Sequence, residues 1–205
     1  YSLGRGDFSG KVRQYIDAAE RADSVLASET IASLSGELEL EAVETWPELH
    51  EQALKTVVYR GFERLFAVFF WFALIGPAGA LLYRLSLLLR ESEYMEESRA
   101  LAEKWLWLME WPAVRFLGLS WALAGNFVGC FERWKECLFC AYRSSADVLE
   151  HYLQGALELE AIDKNDCDAA TQAQTSAEQL GATQGLLSRS LWLWLCIIAL
   201  VSLLA

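Results

Sequence analysis

The chain is short of proline, histidine and positive charge. Its 205 residues include three Pro and two His, and 17 Lys plus Arg face 28 Asp plus Glu for a formal net charge of -11. A nucleic-acid binder carries a basic patch or stripe, so no nucleic-acid partner is expected. Neither His50 nor His151 has metal-ligand spacing; His50, between Glu48 and Glu51, reads as a solvated helix residue. No G-x-x-x-x-G-K-[ST] phosphate loop and no G-x-S-x-G elbow occurs. Residues 1–10, YSLGRGDFSG, lack the apolar core of a signal peptide. Arg5-Gly6-Asp7 reads as a turn with Asp7 as a helix cap. The five cysteines, Cys130, Cys137, Cys140, Cys167 and Cys196, are odd in number, which excludes a secreted disulfide framework. Cys137-Leu138-Phe139-Cys140 has no second ligand pair for zinc and reads as helical thiols on a reducing side. No catalytic, cofactor-binding or metal-binding residue is assigned.

Charge is also missing from three long runs. No Asp, Glu, Lys or Arg occurs in Leu65–Tyr83, in Phe116–Phe131 or in Ser190–Ala205. With 54% hydrophobic and 13% aromatic residues, the acidic chain is no disordered tail. About 20 apolar residues span a bilayer core, within a range of about 17–25. The first run is long enough, and Arg115 and Arg189 can snorkel to lengthen the other two. Buried helices of a soluble bundle would carry a polar face, which these runs lack.

The expected fold is therefore an all-α, polytopic helical membrane protein with three spans, its partner the lipid bilayer. Residues 1–61 form a cytoplasmic helical region and 62–89 a first span. A connector over 90–111 leads to a second span over 112–131. Residues 132–188 form a second cytoplasmic helical region with a mobile linker over 163–185, and 189–205 form the last span. The chain opens in mid-pattern without Met, so earlier spans in a longer protein are expected. Lys and Arg number seven in 1–64, five in 84–115 and five in 131–189. Three spans put the first and last of these segments on one side, and the positive-inside rule makes that side cytoplasmic. Arg84, Arg90 and Arg115 stand against this arrangement.

Along the chain, Phe8, Val12, Tyr15, Ile16 and Ala19 follow helical spacing, and a second helix starts near Asp23 or Ser24. Glu37–Glu44 alternates acid and apolar residues and reads as helix or loop. Trp46-Pro47-Glu48 looks like a helix start. Pro77 should kink the first span by removing the donor for the Ala73 carbonyl. Trp105, Trp107 and Trp111 suit an interfacial belt. Residues 132–160 read as an amphipathic helix or pair. Gly118, Ala122, Gly125 and Gly129 share one small-residue face that lets a helix approach closely, for self-association or a membrane-protein partner. Arg60 and Glu63, three residues apart at the edge of the first span, are expected to pair.

Val58–Leu87, VYRGFERLFAVFFWFALIGPAGALLYRLSL, resembles the membrane-protein family of AmpE and the CobD/CbiB cobalamin-biosynthesis proteins. Phe70-Trp71, Gly76-Pro77-Ala78-Gly79-Ala80 and Tyr83-Arg84 carry the resemblance, making Trp71, Gly76, Pro77, Gly79, Tyr83 and Arg84 the motif residues. Tyr1–Asp7, Trp111–Arg115 and Leu186–Leu195 extend it over nearly the whole chain. CobD/CbiB-like members join an aminopropanol-type group to a corrin carboxylate and carry acids and asparagines around this core. Here Leu85-Ser86-Leu87-Leu88-Leu89 follows Arg84, and Glu63 is the only acid left before the core. The resemblance thus implies the AmpE branch, whose members sit in the bacterial inner membrane and modulate β-lactamase induction linked to cell-wall recycling. The alternative is a cobinamide-phosphate-synthase-like enzyme, marked by polar residues converging on Glu63 and Arg84 in a membrane-side cavity.

Overall fold

The structure, a computed structural model, describes residues 8–35, 45–90, 96–138, 140, 143–159, 162 and 168–204, with backbone alone for 96–100, 201, 202 and 204. Asp7, the 5–7 tripeptide, the 37–44 run and Cys167 lie outside the described residues. Every described regular element is helical. Helix α1 (Phe8–Glu20) buries Val12, Tyr15, Ala18 and Ala19 on one stripe. Asp23 Oδ1 accepts the Leu26 N–H at 3.0 Å and starts α2 (Ser24–Ser35). Helix α3 (Trp46–Gly61) places Pro47 in its first turn, where a missing N–H costs nothing.

The expected single kinked span over 62–89 is instead two helices folded back on each other. A π-helical turn (Phe62–Phe66) leads into α4 (Ala67–Ile75), and α5 (Pro77–Arg90) returns. Residues 27 positions apart in one helix are separated by about 40 Å, yet Arg90 Nη2 lies 2.6 Å from Glu63 Oε1. Gly76 makes the reversal, with φ +80° and ψ -159°. The sequence pattern shows the donor that Pro77 removes, which predicts a bend. A reversal also needs the left-handed backbone that only glycine adopts freely. The two arms then meet where Gly79 has no side chain: a Cβ there would stand 2.5 Å from the Trp71 carbonyl oxygen.

The second expected span is corrected in the same way. Helix α6 (Glu96–Ala124) runs through Pro112, so the connector and the start of the 112–131 segment are one 29-residue helix. It ends at Gly125-Asn126, and the Asn126 side chain accepts the Gly129 N–H at 3.1 Å to cap α7 (Phe127–Cys137). Helix α7 runs back along α6: Trp134 Nε1 donates to the Arg115 carbonyl at 2.8 Å, and Arg115 Nη2 donates to the Cys137 and Cys140 carbonyls at 3.2 and 2.9 Å. The expected single small-residue face is split, with Gly118 and Ala122 on α6, Gly125 in the turn and Gly129 on α7, and helix α8 (Ser145–Leu157) packs against its glycines. Gly118 lies under the Tyr152 ring, Gly125 against the Ala156 carbonyl, and Gly129 against the Gly155 backbone, while Ala122 is buried.

Helix α9 (Ala169–Leu204) takes in most of the expected mobile linker. Its Ala and Gln residues are good helix formers, and Ala173, Ser176, Ala177, Leu180, Thr183 and Leu187 bury one stripe. It runs parallel to α3 and α4. Ser176 touches His50, Leu187 faces Gly61, and the Trp194 ring meets Phe66 edge-on at 5.6 Å. One described helix, over Ala169–Leu200, is long and apolar enough to cross a membrane.

Candidate functional site

A closed polar hub forms where the returning arm of the α4–α5 hairpin meets its starting point. Glu63 sits in the π-helical turn, a widened geometry that recurs at functional positions. Arg60, one turn earlier, donates to Glu63 Oε2 at 2.7 Å as its spacing predicts, and its other nitrogen bonds the Ser35 carbonyl at the end of α2. Arg90, the last residue of α5, donates to Glu63 Oε1 at 2.6 Å and to the Tyr59 hydroxyl at 2.9 Å. Tyr59 in turn donates to Glu110 Oε1 of α6 at 3.1 Å, and Tyr83 of α5 donates to the same oxygen at 3.3 Å. Ser145, opening α8, completes the ring of donors on Glu110. Six helical elements are tied by one run of bonds.

Glu63 and Glu110 are each only 3% exposed. Buried carboxyl groups persist when cations and hydrogen bonds replace their water: Arg60 and Arg90 supply the cations to Glu63, and Tyr59, Tyr83 and Ser145 supply hydrogen bonds to Glu110. Burial, and then the charge of Glu63, push the Glu110 carboxyl up to about 7, against the Ser145 and Tyr59 hydrogen bonds and the charge of Arg90. Burial and the two carboxylates push the Tyr59 phenol well up, which keeps it a donor. The hub can hold or release one proton near neutrality.

The motif residues build this hub. Trp71, Gly76, Pro77 and Gly79 make the hairpin, which delivers Tyr83 to Glu110. Arg84 Nη2 donates to the Arg64 carbonyl at 3.3 Å, and the Arg64 guanidinium lies 5.5 Å from the centre of the Phe8 ring. Polar residues therefore converge on Glu63 and close on one another. A cavity of about 550 Å³ lies between α5 and α6, lined by Ser86, Leu89, Leu101, Lys104, Trp105 and Leu108 among others. Neither Glu63 nor Arg84 belongs to its described lining, so the amide-forming alternative gains no support.

A second buried cluster corrects the solvated reading of His50. Its Nε2 lies 2.7 Å from Gln179 Oε1 and its Nδ1 2.9 Å from Ser176 Oγ, which also meets the Tyr15 hydroxyl at 2.9 Å. With Nε2–H donating to the amide oxygen, Nδ1 accepts from Ser176, and Ser176 accepts from Tyr15. Burial holds the His50 imidazole down at about 4, with the Gln179 bond opposing. This neutral chain pins α1 and α3 to α9.

Sequence reasoning missed Tyr59, Arg90 and Glu110. A signal for Glu110 exists: Leu106, Glu110, Ala113, Leu117 and Trp121 fall on one helical face, and all are buried. The surrounding charges of the 90–111 segment hid it. No curated protein and no solved structure matches the chain. The family model for the regulatory signalling modulator protein AmpE matches residues 1–187, which covers the hairpin, the hub and every motif residue. The chain belongs to the AmpE family of regulatory signalling modulators.

Proposed function

We propose that this protein acts in the bacterial inner membrane as a modulator of β-lactamase induction, linked to the recycling of cell-wall products. Membership of the AmpE family over residues 1–187 carries the reading. Two further features support it. The described surface exposes large apolar side chains on α4, α5 and the end of α9, among them Leu74, Leu81 and Leu203, as a lipid-embedded protein would. The hub ties α2, α3, α5, α6 and α8 to the buried Glu63 and Glu110, which suits a relay between helix packings.

The test is deletion of the full-length gene, with β-lactamase induction and corrinoid synthesis measured side by side. The expected result is altered induction, restored by the wild-type gene but not by Glu63→Ala, with corrinoid synthesis unchanged. Unaltered induction, or a corrinoid defect, overturns the proposal.

A further inference from the structure

Two observations bear on how the chain meets the bilayer: both hairpins reverse, and charge is confined to particular segments. The α4–α5 reversal returns Arg90 to Glu63, and the α6–α7 reversal returns Cys137 and Cys140 to Arg115. The segments flanking each reversal are therefore on the same face of the membrane, whatever depth the tips reach. All 17 Lys and Arg fall in 1–64, 84–115 and 131–189, the three segments so brought together. A three-span path would instead place five of them on the opposite side. The single-face path removes the conflict posed by Arg84, Arg90 and Arg115 with the positive-inside rule.

Length agrees. From Phe62 to Ile75 the descending arm has about 20 Å of helix, against about 30 Å for the hydrocarbon core. It can enter the bilayer and cannot cross it. Its tip satisfies part of its own backbone, as groups held in lipid require. The Gly76 N–H donates to the Phe72 carbonyl at 2.8 Å, Pro77 has no N–H, and the Gly79 and Ala80 N–H groups donate to the Gly76 carbonyl at 3.1 and 3.4 Å. Around it Phe72, Leu74, Ile75 and Leu81 are exposed. The second reversal differs, because Asn126 donates to the exposed carboxylate of Glu158. That pair keeps the α6–α7 turn at the polar boundary. The parallel α9 passes the level of Phe70 at Trp194 and carries ten further residues onward.

Resting on the membrane reading above, we propose that α4–α5 is a re-entrant hairpin seated in the hydrocarbon of one leaflet beside α9, and that the α6–α7 hairpin lies along the same interface. Neither hairpin crosses. The hub then sits at the cytoplasmic boundary, at the root of the re-entrant hairpin.

Cysteine accessibility tests this on the full chain in right-side-out and inverted membrane vesicles. Ser9→Cys, Glu103→Cys and Glu132→Cys variants are labelled with a membrane-impermeant maleimide. Labelled peptides are resolved by mass, so the native thiols serve as baseline. All three positions should label from the cytoplasmic face alone. Labelling of Glu103→Cys from the opposite face, with the other two cytoplasmic, overturns the hairpin topology and restores three crossings. Alkaline carbonate extraction of the same vesicles separates the two levels: release of the unsubstituted chain overturns the membrane reading itself, whereas retention leaves the labelling result to decide the topology.

Discussion

Two buried titratable residues, His50 and Glu110, are shifted in opposite directions, and their effects on stability have opposite signs. Glu110 is raised from the ordinary 4.5 to about 7. Folding therefore favours its protonated form, and the associated stability is full below about 4.5 and is lost as pH rises through about 7. His50 is lowered from 6.5 to about 4. Its contribution is full above about 6.5 and is lost as pH falls through about 4. Between these limits the two slopes oppose, each at most about 1.4 kcal/mol per pH unit. The purified wild-type protein should show a nearly level thermal midpoint from pH 4.5 to 6.5. Glu110→Gln should unmask a midpoint that falls with falling pH, and His50→Gln one that falls with rising pH. Parallel profiles for both variants and the wild type would show that neither group carries the effect.

At the scale of elements, the α4–α5 hairpin depends on two glycines for different reasons. Gly76 has open space around it and a φ of +80°, so its replacement strains the backbone without a clash. Gly79 has ordinary helical backbone and the Trp71 carbonyl in the way. Gly76→Val should therefore cost about 1–3 kcal/mol through a conformation β-branched residues avoid, with Gly76→Asn milder. Gly79→Ala should part the two arms and loosen Tyr83 from Glu110. Gly181→Ala, in α9 with nothing within 4 Å, should stabilise by about 0.5–1 kcal/mol. Thermal midpoints in one detergent would rank the four. The contrast also shows what was legible in the sequence. Helical periodicity located α1, α2 and α8, and the spacing of Arg60 and Glu63 gave their ion pair, because these depend on neighbours within a turn. Apolar run length suggested crossings but carries no sign of chain reversal, since a hairpin arm and half a span have the same composition. Arg90 and Tyr59 could not be assigned to Glu63 and Glu110, because their partners arrive only once the hairpin closes. The polarity of 163–185 reads as a linker, although the spacing of Ala173, Ala177 and Leu180 marks a buried helical face.

Over the whole molecule, charge and exposed apolar surface separate along α3, α4 and α9. Near the start of α9 lie Tyr15 and His50, and beyond Trp194 the described side chains are Leu195, Cys196, Ile197, Ile198, Ala199, Leu200 and Leu203, with no Asp, Glu, Lys, Arg or His among them. Val25 and Leu74 are matched probes of the two ends, 66% and 65% exposed. Val25 opens α2, ten residues before the Ser35 carbonyl that meets Arg60 at the hub, whereas Leu74 lies beyond the hub near the hairpin tip. In water the two positions are equivalent, and an aspartate at either should change stability by less than about 0.5 kcal/mol. In a bilayer they differ: Val25→Asp remains harmless, while Leu74→Asp near mid-bilayer costs about 2.5–3.5 kcal/mol. The level of each variant retained in carbonate-washed membranes, relative to wild type, reads the difference. A selective loss for Leu74→Asp is expected. Equal retention of both variants would place the hairpin tip in water and remove the physical basis for seating it in lipid.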